Sequence, residues 1–182
     1  TWKANSKNVV LEGEEIENVT IENAELSTAL QACLGAENVT INADGYAVMS
    51  KLFVESVTDL QLNDSSLSSL KGIDVFKNLM ILNVENNNLT SLDLSAFSNL
   101  KQLNCVNNQL TSLDLSSCTG LTNLRCAKNQ LKEISVNHLK NLVELDIIEN
   151  QLTSLNVSSL SNLRSLYCFK NHLQMLDLRG CT

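Results

Sequence analysis

The sequence predicts an α/β repeat: a right-handed solenoid with a parallel sheet on its concave face and a helical N-terminal cap. Three observations point there. Leucines recur in several columns at a spacing of 21 residues from Leu79 to the end of the chain. An asparagine recurs in phase with them, as Asn87, Asn108, Asn129, Asn150 and Asn171. Upstream of residue 57 the period vanishes and helical spacing takes its place. Self-similarity at a fixed period marks supersecondary units that bury their apolar faces only by stacking, and such stacks need a cap.

The repeat accounts for its own residue types. Leu79, Leu100, Leu121, Leu142 and Leu163 form one column, and Leu82, Leu103, Leu124, Leu145 and Leu166 a second. Leu89, Leu110, Leu131, Leu152 and Leu173 form a third, and Leu92, Leu113, Ile134, Leu155 and Leu176 a fourth. Each coil reads L-x-x-L-x-(C/V/I)-x-x-N-x-L, then x-x-(L/I)-x-(L/V), then a turn. Around the second leucine the alternation has period two, which predicts a short strand. Stacking sets these strands side by side, about 4.8 Å apart, as a parallel sheet. The leucines point inward. The asparagines also face inward, where their amides satisfy backbone groups that would otherwise be buried without partners. That column is structural.

Five in-phase coils of this form resemble the leucine-rich-repeat family. Val57 to Leu62 begins a sixth, slightly longer coil, with Ser65 in the asparagine column and Gly72 to Phe76 as its return segment. Ala24 to Leu34 reads as an amphipathic helix with Leu26, Leu30 and Leu34 on one face, ended by Gly35. A second helix is expected from about Asp44 to Val54. This arrangement resembles the helical N-terminal cap of bacterial internalin-like proteins. Glu14 to Ile21 alternates as an extra strand would, and residues 1–8 read as a mobile tail. The expected division is therefore tail and extra strand over 1–22, helical cap over 23–56, and a six-coil solenoid over 57–182. The chain stops at Arg179-Gly180-Cys181-Thr182, inside a regular coil with no cap, so either a longer native protein or end-to-end association is implied.

Cys105, Cys126 and Cys168 share an inward column with Val84 and Ile147; Cys118 and Cys181 share another with Phe97, Leu139 and Leu160. Exchange with aliphatic residues marks these as small core residues with free thiols. No C-x-x-C spacing exists for zinc. The cysteine-bearing 21-residue repeat is similar to the cysteine-ladder form found in the internalin group.

Composition excludes other classes. A net charge of −7 opposes binding to nucleic acid and to anionic lipid. No run of about 18 apolar residues spans a membrane, and Thr1 to Ser6 is no signal peptide. His138 and His172 fall in different coils and different columns, without a Ser or Cys placed to complete a triad. Asn42-Ala43-Asp44-Gly45 has too few acids for calcium and reads as a turn with a helix N-cap. No enzyme, cofactor or metal is expected.

The outward positions of the strands remain. In coil order one column is Asn83, Asn104, Arg125, Asp146, Tyr167; the next is Glu85, Val106, Ala127, Ile148, Phe169; the third is Asn86, Asn107, Lys128, Glu149, Lys170. The early coils offer mainly amides. In the last coils Ile148, Tyr167 and Phe169 are expected to be exposed, ringed by Arg125, Asp146 and Lys170, which is the composition of an interaction hot spot. The alternative is that Tyr167 and Phe169 pack against a further coil or domain. The internalin resemblance implies a secreted or cell-surface adhesion module that binds a protein ligand through its concave sheet. A structural spacer or glycan-binding stalk of a larger bacterial envelope protein is the other reading.

Overall fold

The structure, a computed structural model, describes residues 17–181. The tail expected over residues 1–8 and the first part of the expected Glu14–Ile21 strand lie outside the described residues.

The cap comes first. Strand β1 (Asn18–Ile21) leads into helix α1 (Ala24–Leu34), then β2 (Thr40–Ile41), β3 (Ala47–Ser50) and the short helix α2 (Lys51–Ser56). The three strands form an antiparallel sheet with β3 in the middle. Asn23 caps α1, its Oδ1 accepting from the Leu26 N–H at 3.1 Å, and Gly35 ends the helix at φ 89°. Inside the helix, Ser27 is fully buried. Its hydroxyl donates to the Ile21 carbonyl at 3.1 Å and accepts from the Ala47 N–H at 2.7 Å, so one side chain ties α1 to both β1 and β3.

Two expectations fail in the cap. The residues read as a helix from Asp44 to Val54 begin as a turn and the strand Ala47–Ser50, with the helix confined to Lys51–Ser56. Ala47 and Met49 are buried while Val48 and Ser50 are only half so, a period-two pattern that the short window concealed. Nor does Asn42-Ala43-Asp44-Gly45 cap a helix. Asn42 Oδ1 accepts from the N–H groups of Asp44 and Tyr46 at 3.0 and 2.9 Å, and Gly45 is left-handed, so the segment turns β2 back into β3. Ser50 is the cap of α2.

The solenoid follows. Strands β4 (Asp59–Gln61), β5 (Ile81–Asn83), β6 (Gln102–Asn104), β7 (Asn123–Arg125), β8 (Glu144–Asp146) and β10 (Ser165–Tyr167) form one six-stranded parallel sheet in chain order. Their central residues Leu60, Leu82, Leu103, Leu124, Leu145 and Leu166 stack in register. On the return side of the last two coils, β9 (Ser154–Asn156) pairs in parallel with β11 (Met175–Asp177). The leucine columns form one continuous core with the cap. Phe76 and Phe97 fill, fully buried, the slot that Cys118, Leu139 and Leu160 occupy in later coils.

The asparagine column holds the coils together. Asn129 is buried; its Oδ1 accepts from the Leu110 N–H of the preceding coil at 3.0 Å. Its Nδ2 donates to the carbonyls of Cys105 at 3.0 Å, in that same preceding coil, and of Cys126 and Ala127 at 3.2 Å, in its own. Asn108 and Asn150 repeat this pattern, and Asn171 does so half-buried. Asn87 makes the same bonds back to Leu62 and Leu67, and also accepts from Ser65 N–H, so the longer first coil joins the ladder without an asparagine of its own.

Cap and first coil are locked by polar contacts and one close approach. Glu25 Oε2 accepts from the hydroxyl and N–H of Ser68 at 2.7 and 3.1 Å. Asn23 Nδ2 donates to the carbonyls of Ser69 and Lys71. Gly72 sits at φ 97°, and a Cβ there would lie 2.9 Å from Ile21 Cγ2, so a side chain is excluded both by conformation and by space.

Removing one rung tests the ladder. Asn129→Ala leaves the buried Leu110 N–H without a partner, while the Cys105, Cys126 and Ala127 carbonyls each keep one other donor, from Asn108, Asn150 and Asn107. At about 1–3 kcal/mol for one unsatisfied buried group, urea denaturation is expected to show a loss of about 2 kcal/mol. A loss below about 1 kcal/mol would show that water replaces the amide there without difficulty.

Acid stability follows from the carboxylates. Hydrogen bonds hold Glu25 (from Ser68), Asp64 (from Asn63 and Asn86), Asp93 (from Ser95) and Asp114 (from Ser116) below their usual values, and Arg179 holds Asp177 down at about 2. In each case the folded value lies below the unfolded one. The unfolded chain therefore takes up protons first, and the contribution is complete above the ordinary carboxylate value of about 4. It is expected to fade as pH falls from about 4 toward about 2. Denaturation midpoints measured across that range should fall continuously; a flat profile would sink the assignment.

Candidate functional site

The concave face changes character along the solenoid, and the hydrogen bonds show where. Over the earlier coils the outward amides donate to an amide or a carboxylate of the adjacent coil. Asn83 Nδ2 donates to Gln61 Oε1 at 2.9 Å, Asn104 Nδ2 to Glu85 Oε2 at 2.7 Å, and Asn123 Nδ2 to Glu144 Oε2 at 3.0 Å. The oxygens of Asn83 and Asn104 accept from the N–H two residues on, at Glu85 and Val106. A shallow concavity of about 290 Å³ lies over these residues, lined among others by Gln61, Asn83, Gln102, Asn123 and Arg125. Most of its amides are already satisfied within the protein.

The last coils place the six residues singled out in the sequence as follows. Tyr167 and Phe169 are exposed, at 46% and 58%, with no coil beyond them among the described residues. Lys170 is exposed, and its Nζ reaches Glu149 Oε1 at 2.7 Å. This contact holds the Glu149 carboxyl below its usual range. Arg125 is exposed with its Nε 3.9 Å from Asp146 Oδ2.

Two of the six depart from expectation. Asp146 is buried at 9%, wedged in its column between Arg125 and Tyr167, and its Oδ1 accepts from the Ile148 N–H at 3.2 Å. Ile148 is half-buried, and the same column is closed further back, with Val106 at 8% and Ala127 at 5%. The cause is stacking: in a register-locked column each side chain is covered by the ones above and below, and only Phe169, in the last described coil, has a neighbour on one side alone. On the concave face of the last coils the exposed apolar residues are therefore Tyr167 and Phe169, with Ile148 at their border; Met175, Leu176 and Leu178 are exposed on the return side of the same coil.

The turn beyond this column forms a rim. Asp64, Asn86, Asn107, Lys128, Glu149 and Lys170 all have φ between 54° and 57°. Asn86 Nδ2 donates to Asp64 and Asn107 Nδ2 to Asn86, an amide chain that the Glu149–Lys170 ion pair replaces in the last coils. Sequence reasoning took only Lys170 from this column. The shift from Asn86 and Asn107 to Lys128 and Glu149 was the signal that the neighbouring residues belong with it.

Burial pushes the Cys105 thiol up to about 12, Cys118 to about 11, and Cys126 well above its ordinary value, which disfavours the reactive thiolate. All six cysteines are free thiols. His138 Nε2 is engaged with the Leu115 carbonyl at 3.0 Å. Among the described residues no group of acids, histidines and cysteines is arranged to hold a metal, and no helix is long and apolar enough to cross a membrane.

Comparison with known proteins fits this geometry. A family model described as the leucine-rich-repeat domain of the endo-beta-N-acetylglucosaminidase EndoS matches residues 50–150. The functional domain of InlJ from Listeria monocytogenes, which includes a cysteine ladder, is 34% identical with a TM-score of 0.70; the match covers 72% of this chain and 29% of that one. A leucine-rich-repeat protein of Leptospira interrogans is 27% identical with a TM-score of 0.62, over 71% of this chain and 39% of that one. TLR13 in complex with ssRNA13 is 26% identical with a TM-score of 0.58, over 70% of this chain and 20% of its own. The matched region is thus well under half of each relative. No curated protein matches.

Thiol chemistry gives a direct test of the site's inertness. In native buffer near pH 8, Ellman's reagent is expected to leave Cys105, Cys118 and Cys126 unmodified, as read by peptide mapping, and to reach all six cysteines only after denaturation. Rapid labelling of Cys105 in the folded protein would overturn the buried-ladder assignment.

Proposed function

Because the chain belongs to the leucine-rich-repeat family, with internalin-like cysteine-ladder coils, we propose that it is an extracellular recognition module, secreted or held at a bacterial cell surface, that binds a protein ligand through the concave face of its last coils. Proteins of this fold serve in general as protein-interaction modules, and adhesion is the role this reading assigns here. The observation that carries it is the pair Tyr167 and Phe169, two residues apart, large and exposed on the outward side of the last described coil, where the earlier coils carry mainly polar or covered residues. Aromatic anchors bordered by Arg125, Lys170 and the covered Asp146 have the composition from which interface energy is drawn.

Nucleic acid fits less well. The TLR13 relative is described with an RNA, but in this chain Glu144, Asp146 and Glu149 alternate with Arg125, Lys128 and Lys170, and a phosphate backbone laid along the face would meet both signs. A second reading, a spacer or glycan-binding stalk of a larger envelope protein, is favoured by the earlier coils, whose outward amides are engaged by neighbouring amides and carboxylates as on an idle solvated surface. The reading assigns the module no catalytic role.

A screen against extracellular proteins and glycans separates the readings. The wild-type chain is expected to bind a protein, and the folded Tyr167→Ala, Phe169→Ala variant to lose that binding by about 2 kcal/mol or more, the size of a hot-spot truncation. Binding that survives the double substitution would return the aromatic pair to the scaffold.

A further inference from the structure

The rim of the solenoid carries residues that its backbone does not favour. In every coil the residue just before the ladder position is left-handed, with φ between 54° and 57°. Asparagine and aspartate tolerate that region; other side chains with a Cβ are strained in it. The first three coils have Asp64, Asn86 and Asn107 there. The last three have Lys128, Glu149 and Lys170. Apart from Ser66 in the longer first coil, the repeat breaks this rule only here, three times in succession, on one rim of the coils that lead to its exposed aromatic residues. Strain retained in this way marks side chains whose ends are used.

Charge tells where the rim points. Residues 1–59 contain ten acidic and three basic side chains, residues 60–118 five and three, and residues 119–182 five and seven. A chain of net charge −7 is thus net positive, by two, over its last three coils; on the concave side Arg125, Lys128 and Lys170 stand among Glu144, Asp146 and Glu149, so what distinguishes the bases there is how their acids are engaged. There the Lys128 ammonium has no ion-pair partner among the described residues, Arg125 is no closer than 3.9 Å to Asp146, and Glu149 is already engaged by Lys170.

We propose that Arg125, Lys128 and Lys170 form a cationic rim around Tyr167 and Phe169, and that the ligand is a protein surface with acidic side chains around an apolar centre. This rests on the recognition reading above and specifies its partner. Tyr167 and Phe169 supply the buried anchor, the rim charges steer the encounter and reject cationic surfaces, and Glu149 positions the Lys170 ammonium. Glu144, Asp146 and Glu149, interleaved with the bases, favour discrete acidic side chains over a continuous phosphate chain.

A random-peptide phage library panned on the full chain tests this, with Lys128→Asn, Lys170→Asn and Tyr167→Ala, Phe169→Ala double variants alongside. Peptides selected on the wild type are expected to be rich in Asp and Glu around an aromatic or aliphatic centre. They are expected to bind the lysine variant roughly tenfold more weakly, mostly through association rate, and to weaken with salt. The Lys128→Asn variant alone is expected to melt about 2–4 °C higher, because asparagine suits the left-handed turn, so the lost binding is not lost folding. Peptides that need Tyr167 and Phe169 but are not acidic, or that bind the lysine variant equally well, would overturn the cationic rim and leave the recognition reading standing. Peptides that ignore both variants, or no selected peptide at all, would overturn both. No gain in melting temperature would remove the strain argument, and a single-stranded RNA that binds at physiological salt in a lysine-dependent way would replace the acidic protein with a phosphate ligand.

Discussion

Everything in this solenoid depends on how its turns satisfy their backbone. A coil of 21 residues whose only regular element is a three-residue strand leaves N–H and C=O groups pointing into an interior made of leucine. Water cannot reach them there, and each would be costly alone. One asparagine per coil answers for four of them, two in its own coil and two in the one before. The leucine columns supply the free energy of burial. The amide ladder sets the register at which they are buried, because its bonds form only when the coils stand one strand spacing apart.

That division of labour leaves the outward face free of structural duties. A concave position in the first coils is filled by whichever polar residue pairs with its neighbour, as Asn83 does with Gln61 and Asn104 with Glu85. In the last coils the same positions hold groups that do less for the fold: an aromatic pair in contact with solvent, an arginine at long range from its acid, a lysine in a left-handed turn. Departures from the repeat's own economy, rather than any motif, mark the surface on which recognition is proposed.

The fold was legible because it is periodic. Five in-phase columns determine strand positions, inward faces and the structural role of the asparagines, and Asn87 to Asn171 behave as their spacing implied. The cap was less legible because it has no period to average over. In Asp44 to Ser56 four strand residues and six helical ones adjoin, and a window long enough to show a helix contains both. The candidate surface was legible in part. The outward columns are as read, but alternation says only which way a side chain leaves the strand, not how deeply its neighbours cover it. Ala127 is covered at 5% and Phe169 is exposed at 58% although the two share a column.

The sequence by itself determined the number of coils and the identity of the core, since both follow from residue type and period alone. Only the tertiary structure decided that Asp146 sinks between its neighbours, that Ser27 joins helix α1 to both β1 and β3, that Gly72 must admit Ile21, and that Lys128, Glu149 and Lys170 sit in a left-handed turn. These depend on atoms brought together from different coils, and on a backbone conformation that the repeat imposes regardless of the residue placed in it.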